Sequence, residues 1–281
     1  VVRCPLFASR ISSAGGLDAV LLTTANSEIG GFHPPYSMST TKSPTTVPVP
    51  RNGPAVAAGV PSLDEIYRLT AVPEERVVFR NVDWSFYEQL VDSIPESSNI
   101  HVDYDGKDLE VMAKGKRHER YNKLLGRFVD IVTEELEIPC NALGETTWKR
   151  VITSRGLEAD QCYYFVPDKL AADAAASERG SDDIADYPNP DLAIEVDISP
   201  PKVDRAEIYA ALRVAEVWRF DGRNLVIGRL TTENTYVAIE ASQFLPVRAE
   251  EIRRWVVEED SRDQSAWARR LRAEIRNKRG S

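Results

Sequence analysis

The chain has 281 residues, of which 42% are hydrophobic and 8% aromatic, an ordinary globular composition with enough apolar residues for one large domain or two small ones. Its 35 Lys and Arg against 44 Asp and Glu leave a formal charge of −9. That balance excludes a protein whose whole surface attracts nucleic acid and leaves that task to a local basic cleft.

Residues 1–70 come first and carry Ser, Thr, Pro and Gly in clusters with no sustained period. Such composition buries too little surface to offset the entropy of ordering, so a disordered or poorly ordered N-terminal arm is expected, with Met38 as a candidate true start. A single domain is expected over residues 71–281. Within it a strand is expected at 77–79, and a helix at 85–93 that Asp83 or Ser85 caps. Alternation on both sides of Asp105-Gly106 predicts a hairpin of 100–104 and 109–113. Leu124, Leu125, Phe128, Val129, Val132 and Leu136 recur at helical spacing and predict an amphipathic helix over 118–136, ended by Pro139.

Strands are expected next at 146–152, 161–166 and 191–198, with an Ala/Asp/Ser-rich loop over 168–186. A helix at 204–212, a strand at 216–220, the turn Asp221-Gly222, strands at 225–230 and 236–240, and helices at 249–258 and 261–278 complete the order. The fold class is α/β of the α+β type, with a central mixed β-sheet flanked by helices.

The segment Pro190-Asp191-Leu192-Ala193-Ile194-Glu195-Val196-Asp197 is the most informative. Buried strands carry few charges, because an uncompensated carboxylate in a low-dielectric interior costs several kcal/mol. Something positive is therefore required beside it. Glu195 and Asp197, two apart, share a face and could share one divalent ion; Asp191 has the same parity. Asp160 opens the apolar strand Gln161-Cys162-Tyr163-Tyr164-Phe165, and an acid there plus an acid inside a neighbouring strand is what a metal-dependent nuclease needs. On its own Asp160 reads as a turn or cap residue.

Glu119 stands in the first helical turn beside Lys114, Lys116, Arg117 and Arg120, where it either complements the helix dipole or serves a metal or water. His118 is the one histidine near this constellation, and nothing pairs it with a Ser or Cys nucleophile. Cys4, Cys140 and Cys162 form no CxxC pair, so neither a zinc site nor a disulfide framework is indicated and a reducing cytoplasm is expected. No run approaches the roughly 18 apolar residues of a membrane span. No glycine-rich phosphate loop occurs.

Together, 156–164, 190–196 and 209–222 resemble the Uma-two (Uma2) family of restriction endonucleases, within the PD-(D/E)XK nuclease superfamily. The resemblance implies a restriction endonuclease-like fold and Mg2+- or Mn2+-dependent cleavage of nucleic acid, DNA first, by a chain that could act as a homodimer. By position it makes Asp160 the first strand acid, Glu195 the second and Glu119 the helix acid; Asp197 is expected as a further metal ligand from its shared strand face with Glu195 alone. Asp197 also stands where the superfamily places lysine, and the substitutes are Arg205 and Lys202. Arginine stabilises a pentacovalent phosphate but does not readily act as a base. Two rivals stand beside the nuclease: a non-catalytic relative that binds nucleic acid or a protein partner, and a structural domain whose acids pair with arginines.

Overall fold

The computed structural model describes residues 59–95, 97–150 and 154–279. All of them belong to one unit, residues 43–281. In chain order the first elements are helix α1 (Leu63–Leu69), strand β1 (Arg76–Phe79), helix α2 (Trp84–Ser93), strands β2 (Ile100–Tyr104) and β3 (Leu109–Ala113), and the long helix α3 (Lys116–Leu136). Strands β4 (Asn141–Ala142), β5 (Thr146–Arg150), β6 (Arg155–Ala159) and β7 (Gln161–Tyr164) follow, then helix α4 (Pro167–Glu178), strand β8 (Leu192–Val196) and helix α5 (Arg205–Ala211). Strands β9 (Glu216–Phe220), β10 (Leu225–Leu230) and β11 (Tyr236–Ile239) precede helix α6 (Ala249–Arg253), a π-helical turn at Arg254–Glu258, and helix α7 (Gln264–Arg279).

The strands form two sheets where one was expected: an antiparallel five-stranded sheet ordered β1-β3-β2-β6-β5 and a six-stranded sheet ordered β11-β10-β9-β8-β7-β4. The second sheet is mixed, because β8 and β9 run parallel across the α5 crossover. The Asp105-Gly106 turn forms as expected, with Gly106 at φ 96°. β6 went unread because Arg155, Gly156 and Glu158 disguise it.

α1 moves the expected domain boundary. Ile66 is fully buried among Val77, Leu90 and Val102, so the segment from residue 59 to 70 packs with the domain. The remainder of the expected arm, residues 1–58, lies outside the described residues. α4 replaces part of the expected loop: five alanines favour helix and Pro167 starts it. Only Asp173 and Ala176 of α4 are buried, too few to give a helical period.

The second sheet is covered on both faces. One carries Leu192, Ile194, Val196, Trp218 and Phe220 against α3 and α7, where Phe128, Trp267 and Leu271 pack. Each such buried side chain contributes about 1.5–3 kcal/mol. The other face presents Cys162, Tyr164, Ala193 and Val217 to Ile208, Tyr209 and Leu212 of α5 and to Trp148 and Leu157 of the first sheet. Asp160, Glu195 and Asp197 share the parity of this second face. No helix among the described residues is long and apolar enough to cross a membrane.

Candidate active site

In the β7–β8 ladder Gln161 faces Ile194 and Cys162 faces Ala193. Asp160 lies in the bend just before this ladder and Glu195 just after Ile194, so continuing the register brings Asp160 beside Glu195, and its charge acts on the Glu195 carboxyl. Residues paired in such a register put their Cβ atoms about 4.5–5.5 Å apart on one face. Asp160 Oδ2 accepts from the Val196 amide at 2.8 Å, which ties the turn acid to the acidic strand. The two carboxylates are thus brought together, and both are buried.

Asp160 Oδ1 accepts from His118 Nε2 at 2.9 Å, and Lys114 Nζ lies 3.5 Å from the same oxygen. Burial would raise this carboxyl, but the His118 hydrogen bond and charge, with Lys114 behind them, hold it well below the usual carboxylate range. Burial likewise works against the His118 cation. Asp160 and Glu74 overcome it and push the imidazole up to about 10. Glu74 Oε2 is 3.7 Å from His118 Nδ1, an ion pair too long for a hydrogen bond. Lys114 also donates to Glu158 at 2.8 Å and Glu145 at 3.0 Å.

Glu195 takes the Tyr209 hydroxyl on Oε1 and Arg205 Nη1 on Oε2 at 2.7 Å. Burial is the largest influence on its carboxyl and, with the Asp160 charge, outweighs Arg205 to push it up to about 7. Arg205 is itself buried and saturated. Its Nε and Nη2 both reach Asp103 Oδ2 at 2.7 Å, and Nη1 also donates to Asp197 Oδ1 at 2.9 Å. A second buried arginine, Arg76, donates to Glu110, to Ser199 Oγ at 2.9 Å and to Asp197 Oδ1 at 3.3 Å. The positive charge that the acidic strand requires is supplied by these two arginines.

The remaining expected residues fall elsewhere. Asp191 accepts from the Phe165 and Val166 amides at 2.8 Å each and pairs with Lys169 at 2.7 Å, so it anchors the start of α4. Glu119 is exposed, with burial and the nearby Glu145 carboxylate raising its carboxyl. Lys202 is exposed too, and only its backbone amide touches the cluster, donating to Glu110. Arg76, Asp103 and Glu110 escaped sequence reading, because charged residues on β1 and the first hairpin look like a solvated face. The unmet need of the acidic strand for cations was the signal that could have pointed to Arg76; no such signal marked Asp103 and Glu110.

Mg2+ takes hard oxygen donors, commonly one or two carboxylates completed by water and phosphate oxygens. Among the described residues no group of three or more His, Cys, Asp and Glu is placed to hold an ion, so any such site draws on fewer protein ligands. The oxygens fit that role. Each carboxylate oxygen has two acceptor positions. Asp160 Oδ2 and Glu195 Oε1 each meet one donor, and Asp197 Oδ2 is buried with no hydrogen-bond partner.

The Uma2 family model, described as "Putative restriction endonuclease", matches residues 84–254, more than half of the chain. A solved structure of a putative nuclease belonging to DUF820 from Anabaena variabilis is similar at 14% identity and a TM-score of 0.43, over 62% of this chain and 99% of that one. No curated protein matches.

Proposed function

We propose that this chain, which belongs to the Uma2 family, is a metal-dependent endonuclease that hydrolyses phosphodiester bonds of nucleic acid, DNA first. The observation that carries this reading is the placement of Asp160 beside Glu195, both buried, with Arg205 on Glu195. Asp160 and Glu195 would hold Mg2+ or Mn2+, with Asp197 Oδ2 as a further oxygen. When bound, the ion polarises the scissile phosphate and lowers the pKa of the attacking water.

The chain's own groups prepare the site. His118 and Lys114 keep Asp160 ionised and fix its orientation, and Tyr209 and Arg205 orient Glu195, whose carboxyl burial pushes up to about 7. Asp103 holds the Arg205 fork in place, so a permanent positive charge would stand near a phosphate bound at these acids and offset the negative charge it gains. Arginine does not give up its proton, so Arg205 is not the base. Glu119 would orient water at the rim, and Lys202 would reach substrate phosphate from solvent.

The saturation of Arg205 favours one second reading, a non-catalytic nuclease-fold protein that binds nucleic acid. Thermal unfolding with and without Mn2+ separates metal binding from its absence. An ion that binds only the folded state at a hundred times its Kd adds about 2.7 kcal/mol. The wild type should gain stability and Asp160→Ala should not. A wild type indifferent to Mn2+ and Mg2+ would remove the metal from the account.

A further inference from the structure

We propose that a cavity beside these acids binds one nucleotide of the substrate, with Arg219 gripping its phosphate; the assignment rests on the nuclease reading above. The two buried arginines are poor candidates for that grip. Arg205 is spent on Asp103, Glu195 and Asp197, and Arg76 on Glu110, Ser199 and Asp197. Turning either toward a ligand leaves buried carboxylates unpaired, a cost of several kcal/mol.

Arg219 is differently placed. It sits on β9 directly beside Glu195 in the parallel β8–β9 pairing. Its side chain is 48% exposed, and its charged neighbour among the described residues is Asp197, whose Oδ2 lies 3.6 Å from Nε. The two terminal amino groups have no protein acceptor among the described residues. A planar fork with both outer nitrogens free is the geometry that takes two phosphate oxygens at once.

The cavity next to it explains what accompanies the phosphate. It measures about 280 Å³, is bounded by α5 and strands β8–β11, and has Glu195, Arg205 and Arg219 among its lining residues. Its walls are Val217, Gly228, Tyr236 and Ala238. Gly228 pairs with Val217 on one side and Ala238 on the other, and its missing side chain lets the Tyr236 ring lie close over the sheet as a wall of the cavity. A Cβ at Gly228 would come within 3.3 Å of the Tyr236 ring. That ring is pinned by its hydroxyl, which donates to the Val214 carbonyl at 2.6 Å. A cation beside a largely apolar cavity with an aromatic wall matches a nucleotide: phosphate on the guanidinium, base against tyrosine.

The test uses the full chain in EDTA, so that binding is read without metal-dependent cleavage, and follows fluorescence anisotropy of a short labelled single-stranded oligodeoxynucleotide. Arg219→Ala should weaken binding about tenfold, the scale of one charge-assisted contact, with an unchanged melting temperature; Arg219→Lys should recover part. Ala238→Phe should fill the cavity and weaken oligonucleotide binding while leaving competition by inorganic phosphate unaltered. Wild-type affinity in both Arg219→Ala and Ala238→Phe, or no oligonucleotide binding by the wild type, would overturn the assignment. Binding through Arg219 by a protein that cleaves nothing in Mg2+ would keep the subsite and overturn the nuclease. Asp160-dependent cleavage unaffected by Arg219→Ala would keep the nuclease and overturn the subsite.

Discussion

Asp103 Oδ2 receives both Nε and Nη2 of Arg205 at 2.7 Å, and this pair ties the first sheet to the crossover helix α5 at a point with almost no solvent. Asp103 comes from the first hairpin and Arg205 from the helix after the acidic strand. The contact therefore couples assembly of the fold to assembly of the site. Desolvating these charges is costly, and the cost is met because every nitrogen of the fork has an acceptor.

Removing Asp103 should be far more damaging than its position on a hairpin suggests. Asp103→Ala leaves Arg205 partly unpaired in the interior, and urea unfolding should show a loss of about 3–5 kcal/mol. The double variant Asp103→Leu with Arg205→Met removes the charge on both sides of that pair and should lose less than Asp103→Ala. Equal losses would mean that the unpaired cation is not the cause.

Stability should depend on pH through His118. Its folded pKa of about 10 lies above the ordinary value near 6.5, so its contribution is complete below about 6.5 and is lost as pH rises through about 10. The stability difference between wild type and His118→Gln should shrink across that window. Asp160 acts in the opposite direction: its carboxyl is depressed, so its contribution is lost as pH falls below the ordinary carboxylate range. A wild-type-minus-variant difference that is flat from pH 6 to 10 would place the imidazole in its neutral form.

Gly156 is where the backbone of β6 passes under Tyr87. A Cβ there would lie 2.0 Å from the Tyr87 hydroxyl and 2.4 Å from the ring carbon that bears it. The ring cannot easily retreat, being stacked on Tyr104 with centroids 5.3 Å apart. Gly156→Ala should cost about 1–3 kcal/mol in thermal or urea unfolding. Tyr87→Phe removes a buried hydroxyl that has no hydrogen-bond partner and should cost nothing, and it should recover part of the Gly156→Ala loss.

Asp191 separates structural acids from site acids. Asp191→Ala frees two amides at the start of α4 and should lower stability by about 1–3 kcal/mol without altering metal binding. A Mn2+-induced melting shift that vanished in Asp191→Ala would return this residue to the site.

Much of this was legible in the chain. The hairpin at Asp105-Gly106, the α3 periodicity and the acidic strand each rest on a local rule, and each formed where that rule put it. The meeting of Asp160 and Glu195 could be anticipated because an acid at the mouth of one apolar strand and an acid inside the next suit a shared metal site, an arrangement the family resemblance also implied. What was not legible depended on packing between the sheets. Asp103 and Glu110 alternate with apolar residues as a half-exposed hairpin does, yet the whole of β2 and β3 is buried because the second sheet covers it. Arg76 pairs with Asp197 across 121 positions, a separation that no local pattern encodes.

Two buried carboxylates, already matched with protein cations, are proposed here as the working centre of a nuclease. Incubating supercoiled plasmid DNA with purified wild-type chain and with Asp160→Asn, each in Mg2+ and in EDTA, tests this proposal most directly. Relaxed and linear products are expected from the wild type in Mg2+ alone, and none from Asp160→Asn although that variant should be folded by circular dichroism. Cleavage that persists in Asp160→Asn, or plasmid left intact by the wild type in both Mg2+ and Mn2+, would contradict it.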